Sequence, residues 1–236
     1  MKVLIISDVH ANPWALQAVL DKVGPVDRVL CAGDLVNYGP APRAVLKVLQ
    51  QQPLLAVRGN HDHAVAFGAD PRANSAKQAL ALAMRDWTHG QLAAADRSWL
   101  RHLPLRQTCQ IAGTRFALVH ATWRDPLYDY QLRAGATDEL VHELTTGIEA
   151  DVLVVGHTHW PLRRSVGALQ LVNPGSVGQP LDGDARASYA VWQDGTITLH
   201  RVEYDVAQAV SALESVPIAP AQRTALVDIL RHGQLS

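Results

Sequence analysis

The chain has 236 residues, 48% hydrophobic and 18% charged, which excludes a disordered polymer and allows a sizeable buried core. A net charge of −1 excludes a generally basic protein drawn onto nucleic acid or an anionic membrane. Two cysteines, Cys31 and Cys109, are too few for a disulfide framework and suit a reducing compartment.

The apolar run at 3–6 predicts a buried strand and is too short for a secretory leader. No later stretch approaches the roughly 18 apolar residues of a membrane span, so a cytoplasmic protein without membrane contact is expected. Asn12-Pro13 then supplies a cap and a first-turn proline for a helix carrying Leu16, Val19, Leu20 and Val23. A second strand, Arg28–Cys31, breaks at Gly33-Asp34. Val45, Val48 and Leu49 mark a second helix, and a third strand at 54–57 breaks at Gly59-Asn60. This β-α-β-α-β order argues for a parallel sheet with crossover helices.

Residues 62–103 read as helical, with Ala76, Leu80, Ala83, Met84 and Trp87 on one face. The block has no strand of its own and reads as a helical cap within a single domain, 1–236. Hairpins follow. Strands at 108–111 and 115–119 flank Ala112-Gly113; 162–166 and 169–172 flank Gly167; 189–192 and Thr196–Val202 flank Asp194-Gly195. A helix near 137–145 and a strand at 152–155 interrupt them, and Leu226, Ile229 and Leu230 support a C-terminal helix. The result is an α/β half followed by a mostly β half, without a cofactor-type glycine signature.

Polar residues gather where strands end. Asp8 and His10 follow the first strand, Asp34 the second, and Asn60, His61 and Asp62 the third. His120 ends the strand at 115–119, and His157 and His159 follow the one at 152–155. Ligands of open α/β sheets bind outside the carboxyl ends of strands, so these groups are expected to converge. Taken singly, each has an ordinary structural reading, since an aspartate after a strand usually serves a turn. The isolated His89, His102, His142, His200 and His232 read as surface or packing residues. Together, carboxylate, imidazole and amide make a mixed oxygen–nitrogen set for borderline or hard divalent ions. There are more groups than one ion needs, and about enough for two that share a carboxylate. Paired ions clamp the attacking and leaving oxygens of an in-line phosphoryl displacement.

Asp8-Val9-His10, Gly33-Asp34, Gly59-Asn60-His61-Asp62, His120 and Gly156-His157-Thr158-His159 resemble the five ordered motifs of the calcineurin-like metallophosphoesterases. The segment Asn173-Pro174-Gly175-Ser176-Val177-Gly178-Gln179-Pro180 is similar to that of small single-domain bacterial members, described as phosphodiesterase-like or diadenosine tetraphosphatase-like. The resemblance implies an α/β fold, a four-layer α/β/β/α sandwich of two mixed sheets flanked by helices. It implies one metal on Asp8, His10, Asp34 and His159, and another on Asp34, Asn60, His120 and His157. It further implies attack by a metal-bridging hydroxide, with His61 protonating the leaving oxygen or stabilising its charge and Asp62 orienting its ring. Mn²⁺ is the first expectation for the metal, with Fe, Zn, Co, Ni and Mg as other occupants.

The expected substrate is small and phosphorylated: a nucleotide phosphodiester or dinucleoside polyphosphate in preference to a sugar monophosphate. Arg124, Arg58, Asn37, Tyr38 and Gln179 are the candidate substrate contacts, with Trp123 as a flat surface for a nucleobase. Three rivals are a general phosphomonoesterase, a nuclease and a protein-binding scaffold on the same fold. The near-neutral charge speaks against a nuclease. A scaffold would be expected to have lost ligands or His61, and all are present.

Overall fold

The computed structural model describes residues 1–73 and 77–234, so Ala76 of the expected helical face lies outside the described residues. The chain opens with β1 (Lys2–Ile6), α1 (Pro13–Val23), β2 (Arg28–Cys31), α2 (Pro42–Gln50) and β3 (Leu54–Ala56). The Asn12 side chain accepts from the Ala15 N–H at 3.1 Å and starts α1 one residue before Pro13. β2 pairs in parallel with β1 and with β3, as the crossover order requires. Three helices follow: α3 (Asn60–Phe67), α4 (Gln78–Gln91) and α5 (Ala94–His102). The helical block therefore starts at Asn60 rather than at 62. The Asp62 carboxylate accepts the Gly59 N–H at 3.0 Å and closes the first turn there.

The remaining elements are β4 (Arg106–Ile111), β5 (Thr114–Val119), α6 (Asp138–Thr145), β6 (Val152–Val154), β7 (Pro161–Val166), β8 (Leu169–Pro174), β9 (Ala187–Gln193), β10 (Thr196–Val202), α7 (Val206–Glu214) and α8 (Pro220–His232). The strands form two mixed five-stranded sheets, β10-β9-β1-β2-β3 and β4-β5-β6-β8-β7. All three expected hairpins are present, but the division into an α/β half and a β half is not. β9 returns to the first sheet and pairs antiparallel with β1, setting Trp192 opposite Val3. Val3 and Ile5 face the other sheet, so extending β1's edge with Trp192 and Ile197 widens the apolar face they share.

The two sheets enclose a core that includes Ile5, Leu30, Phe116, Leu118, Val154 and Trp192. On the outer face of the first sheet lie Leu16, Val19, Leu46, Leu49, Val65 and Leu100, from α1, α2, α3 and α5. On the second, Val141 and Leu144 of α6 cover Leu153 and Leu171. That is a four-layer α/β/β/α sandwich. Phe116 is fully buried and meets Trp192 edge-on, with ring centroids 5.5 Å apart. Phe116→Ala is therefore expected to cost about 3–5 kcal/mol in urea unfolding, the range for a buried aromatic truncated in a packed core.

α7 was not anticipated, although Val206, Ala209, Val210 and Leu213 carry helical spacing. It packs with α8 on Leu80 and Met84 of α4 and on Tyr38, so the C-terminal helices complete the helical cap. Among the described residues, no helix is long and apolar enough to cross a membrane.

Candidate metal centre and active site

The carboxyl ends of β1, β2, β5 and β6 and the first turn of α3 open onto one place. Asp8, His10, Asp34, Asn60, His120, His157 and His159 meet there, each at most 4% exposed. The ligand atoms of Asp8, His10 and His159 lie within 4.8 Å of one another, as do those of Asp8, Asp34 and His120. Asp34 Oδ2 sits between the two groups, 3.8 Å from His10 Nε2 and 3.3 Å from His120 Nε2. Asn60 Oδ1 is 2.9 Å from His120 Nε2 and 3.2 Å from His157 Nδ1. Asp8 thus reaches both groups, where the resemblance placed it in one.

Each imidazole is turned by a bond on its far side. His10 Nδ1 donates to the Val36 carbonyl, His120 Nδ1 to Ala32 and His159 Nδ1 to Gln179, at 3.2, 2.7 and 2.5 Å. A carbonyl only accepts, so Nδ1 carries a proton in all three, and in the neutral ring the Nε2 lone pair faces the centre. The carboxylates are divided in the same way. Asp8 Oδ2 accepts the His157 N–H and Asp34 Oδ1 the His61 N–H, while Asp8 Oδ1 and Asp34 Oδ2 are buried without a hydrogen-bond partner. Asn60 Nδ2 donates to the Pro71 carbonyl, which turns its Oδ1 inward.

The ring nitrogens so assembled crowd one another. His10 Nε2 and His159 Nε2 are 3.2 Å apart, and His157 Nδ1 and His120 Nε2 are 3.1 Å apart. Unpartnered carboxylate oxygens among facing imidazole lone pairs are costly unless a cation lies between them. The donor set therefore fits divalent metal. Electrostatics show the same demand for a cation: burial disfavours the charge of His120, but Asp34 beside it raises its pKa to about 9, so that a proton on Nε2 stands in for the ion. Burial likewise pushes Asp34 up, yet His120, His61 and His10 hold its carboxyl well below the usual range. A positive charge is wanted at this spot.

The backbone bends to deliver these groups. Asp8, His10, Asp34, His157 and His159 have φ of 53°, 45°, 55°, 69° and 61°, in the left-handed region that costs a non-glycine residue roughly 1–2 kcal/mol. The segment 173–180 braces this geometry. Ser176 Oγ and the Gly178 N–H both donate to the Asp8 carbonyl, at 2.7 and 3.1 Å. Gly178 has to be glycine, because a Cβ there would lie 1.9 Å from the Val9 carbonyl oxygen.

His61 faces the same centre, but Asp62 does not orient its ring. The Asp62 oxygens accept four backbone N–H groups, those of Asp34, Leu35, Val36 and Gly59, and so fix the loop after β2 to the start of α3. The ring is held by Asn37, whose Nδ2 is 2.7 Å from His61 Nδ1 and also donates to the Ala81 carbonyl. That second bond identifies Nδ2 as the donor, so Nδ1 of His61 accepts and Nε2 carries the proton. Burial lowers the His61 pKa to about 4, and the neutral ring presents Nε2–H as a donor.

The other expected substrate contacts divide. Tyr38 is buried against His61 and His10, its ring centroid 4.6 and 5.0 Å from theirs. Gln179 serves His159 through its backbone carbonyl. Arg58 instead donates to the Arg101 carbonyl at 2.6 Å and lies over Phe67. Arg124 is a surface residue, paired with Glu143 at 3.3 Å where both side chains are more than half exposed. Trp123 packs against the second sheet's outer core and under Arg106. Neither arginine, nor Trp123, borders the cavity above the centre.

That cavity, about 540 Å³, has Asp34, His61, His157 and His159 among its lining residues. Its other lining residues include four that the sequence reading missed: Lys77, Tyr130, Arg133 and Trp160. Tyr130 stacks on His157 with ring centroids 3.8 Å apart. Trp160 directly follows His159 in sequence, a signal open to use. Lys77 stands in the helical block and carried no such signal.

Buried carboxylates and imidazoles, lone pairs inward beneath a cavity at strand ends, are the donor set of a metal-dependent hydrolase. The chain belongs to the calcineurin-like phosphoesterase superfamily, whose domain it matches over residues 1–194. It is similar to a solved metallophosphoesterase from Sphaerobacter thermophilus, 32% identical over 99% of both chains with a TM-score of 0.81. It is 33% identical to a symmetrical bis(5'-nucleosyl)-tetraphosphatase of Paracidovorax citrulli over 65% of this chain and 54% of that protein, so it spans about half that relative's length. The Escherichia coli phosphodiesterase YfcE is 25% identical over 84% of this chain and 91% of its own.

Proposed function

We propose that this chain is a cytoplasmic single-domain phosphoesterase with two divalent ions, Mn²⁺ first among them, acting on nucleotide phosphodiesters or dinucleoside polyphosphates. One observation carries the reading: unpartnered Asp8 Oδ1 and Asp34 Oδ2 stand among imidazole nitrogens whose lone pairs are aimed at them. Asp8, His10, Asp34 and His159 would hold one ion, and Asp34, Asn60, His120 and His157 the other. When bound, such ions lower the pKa of water and polarise phosphoryl oxygens. His61 directs its Nε2–H at the leaving oxygen and, as a neutral ring, stabilises by hydrogen bonding the charge that builds there, while Asn37 fixes the ring. Asp62 keeps the loops bearing Asp34 and His61 together. The names of the tetraphosphatase and phosphodiesterase relatives support a nucleotide-type substrate.

Metal uptake tests the centre without assuming a substrate. Metal-stripped protein titrated with Mn²⁺ in a calorimeter is expected to bind two ions per chain. The two bound ions are expected to give the electron paramagnetic resonance signal of a coupled pair. Uptake of one ion or none overturns the dinuclear reading.

A further inference from the structure

Arg124, an expected substrate contact, is tied to Glu143 on the surface, so the cations that border the cavity are others. Lys77 precedes α4 and is only 8% exposed, yet it lines the cavity. Its Nζ lies 5.8 Å from the centroid of the Tyr38 ring, and that ring touches His61 and His10. The ammonium is thus one aromatic ring away from the metal centre. Burying an ammonium is costly, and burial lowers the Lys77 pKa to about 8, with Asp8 and Asp34 opposing the shift. Both belong to the proposed metal ligands. Once ions neutralise them, a phosphate anion in the cavity would favour the Lys77 charge in their place. Arg133 lines the same cavity from the segment between β5 and α6, and it makes no ion pair among the described residues. Asp34 is the one carboxylate among the lining residues, so above the floor the walls carry positive charge only.

We propose that Lys77 and Arg133 bind a second phosphate of the substrate, next to the one attacked, which makes the preferred substrates esters with a phosphoanhydride chain. This rests on the phosphoesterase reading above. Two cations bordering the cavity, one nearly buried and one exposed, match a chain that runs from the metal floor outward. A guanidinium takes two phosphate oxygens in parallel, and an ammonium acts as a point charge beside them. A simple diester or sugar monophosphate has no group to place there.

The test compares diadenosine tetraphosphate with bis(p-nitrophenyl) phosphate, using the full chain loaded with Mn²⁺. Lys77→Gln and Arg133→Gln are each expected to lower the ratio of the two kcat/KM values by about 10- to 100-fold, the scale of one charge-assisted hydrogen bond. The loss is expected in KM for the tetraphosphate, and Lys77→Arg is expected to restore part of it. Arg133 is exposed, so its variant separates recognition from folding. Calorimetry with a methylene-bridged tetraphosphate analogue gives a second readout, in which each variant is expected to bind at least about tenfold more weakly. Unchanged ratios and unchanged analogue binding overturn the proposal while leaving the phosphoesterase reading intact. Failure to hydrolyse either substrate sinks that reading instead, and analogue binding then still decides the role of Lys77 and Arg133. Faster turnover of monoesters by the unmodified chain would overturn the proposal and make this a general phosphatase.

Discussion

Asp34→Ala is expected to reduce phosphodiester hydrolysis by roughly a thousandfold or more and to lower bound metal from two ions to one or none. The size of the effect follows from position. Asp34 Oδ2 stands 3.3 Å from His120 Nε2 and 3.8 Å from His10 Nε2, so one oxygen serves both proposed sites. Its other oxygen accepts the His61 N–H at 2.9 Å, so the carboxylate also seats the residue that faces the leaving group. Alanine removes both functions. Without a metal to acidify it, water has a pKa near 15.7 instead of about 7 and is a feeble nucleophile at neutral pH. Chelation of the unmodified protein should reproduce the loss, and Mn²⁺ or Co²⁺ should reverse it in that protein but not in the variant. Full activity in protein shown to be free of metal would end the metal mechanism. Circular dichroism guards against a trivial outcome, because Asp34 is buried and its loss also removes an anion that offsets His120.

Much of this centre was legible from the chain, for a physical reason. Parallel pairing carries the loops after Ile6 and Cys31 to one edge of the first sheet and those after Val119 and Val154 to one edge of the second. The packing of the two sheets brings these edges together. The pairing of β9 with β1 was not legible. Strands of a hairpin announce each other through their turn, but the register of Trp192 opposite Val3 joins segments nearly the whole chain apart. The same limit explains the errors around the site. Arg124 lies four residues after His120, and sequence distance suggested the cavity. The Asp125 side chain accepts the Leu127 and Tyr128 N–H groups and curls the loop, and Arg124 meets Glu143 of α6 on the outside. Asp62 lies beside His61 in sequence, but the first turn of α3 aims it at backbone N–H groups. Asn37, 24 residues from His61, is the one that reaches the ring. Adjacency in sequence is a poor guide on a helix, where neighbouring side chains diverge.

His61→Ala should retain both metals and lose kcat, by about 10²- to 10⁴-fold for a nucleotide ester. The distinction from Asp34→Ala rests on which atoms point where. His61 presents Nε2–H, a donor, whereas His10, His120 and His159 present Nε2 as a lone pair because their protons are held by carbonyls. A protonated nitrogen cannot ligate a metal, but it can meet an oxygen that gains charge as its bond to phosphorus breaks. The penalty for removing it should therefore follow the leaving group. An alkoxide such as a ribose oxygen needs the donor, while nitrophenolate carries its charge almost unaided, so the loss should be much smaller for nitrophenyl esters. Asn37→Leu should show the same dependence at reduced size, since it frees the ring to rotate without deleting the donor. A uniform loss across leaving groups would make His61 a substrate-binding residue only. Loss of metal from His61→Ala would place the ring among the ligands and reverse the tautomer argument on which its role depends.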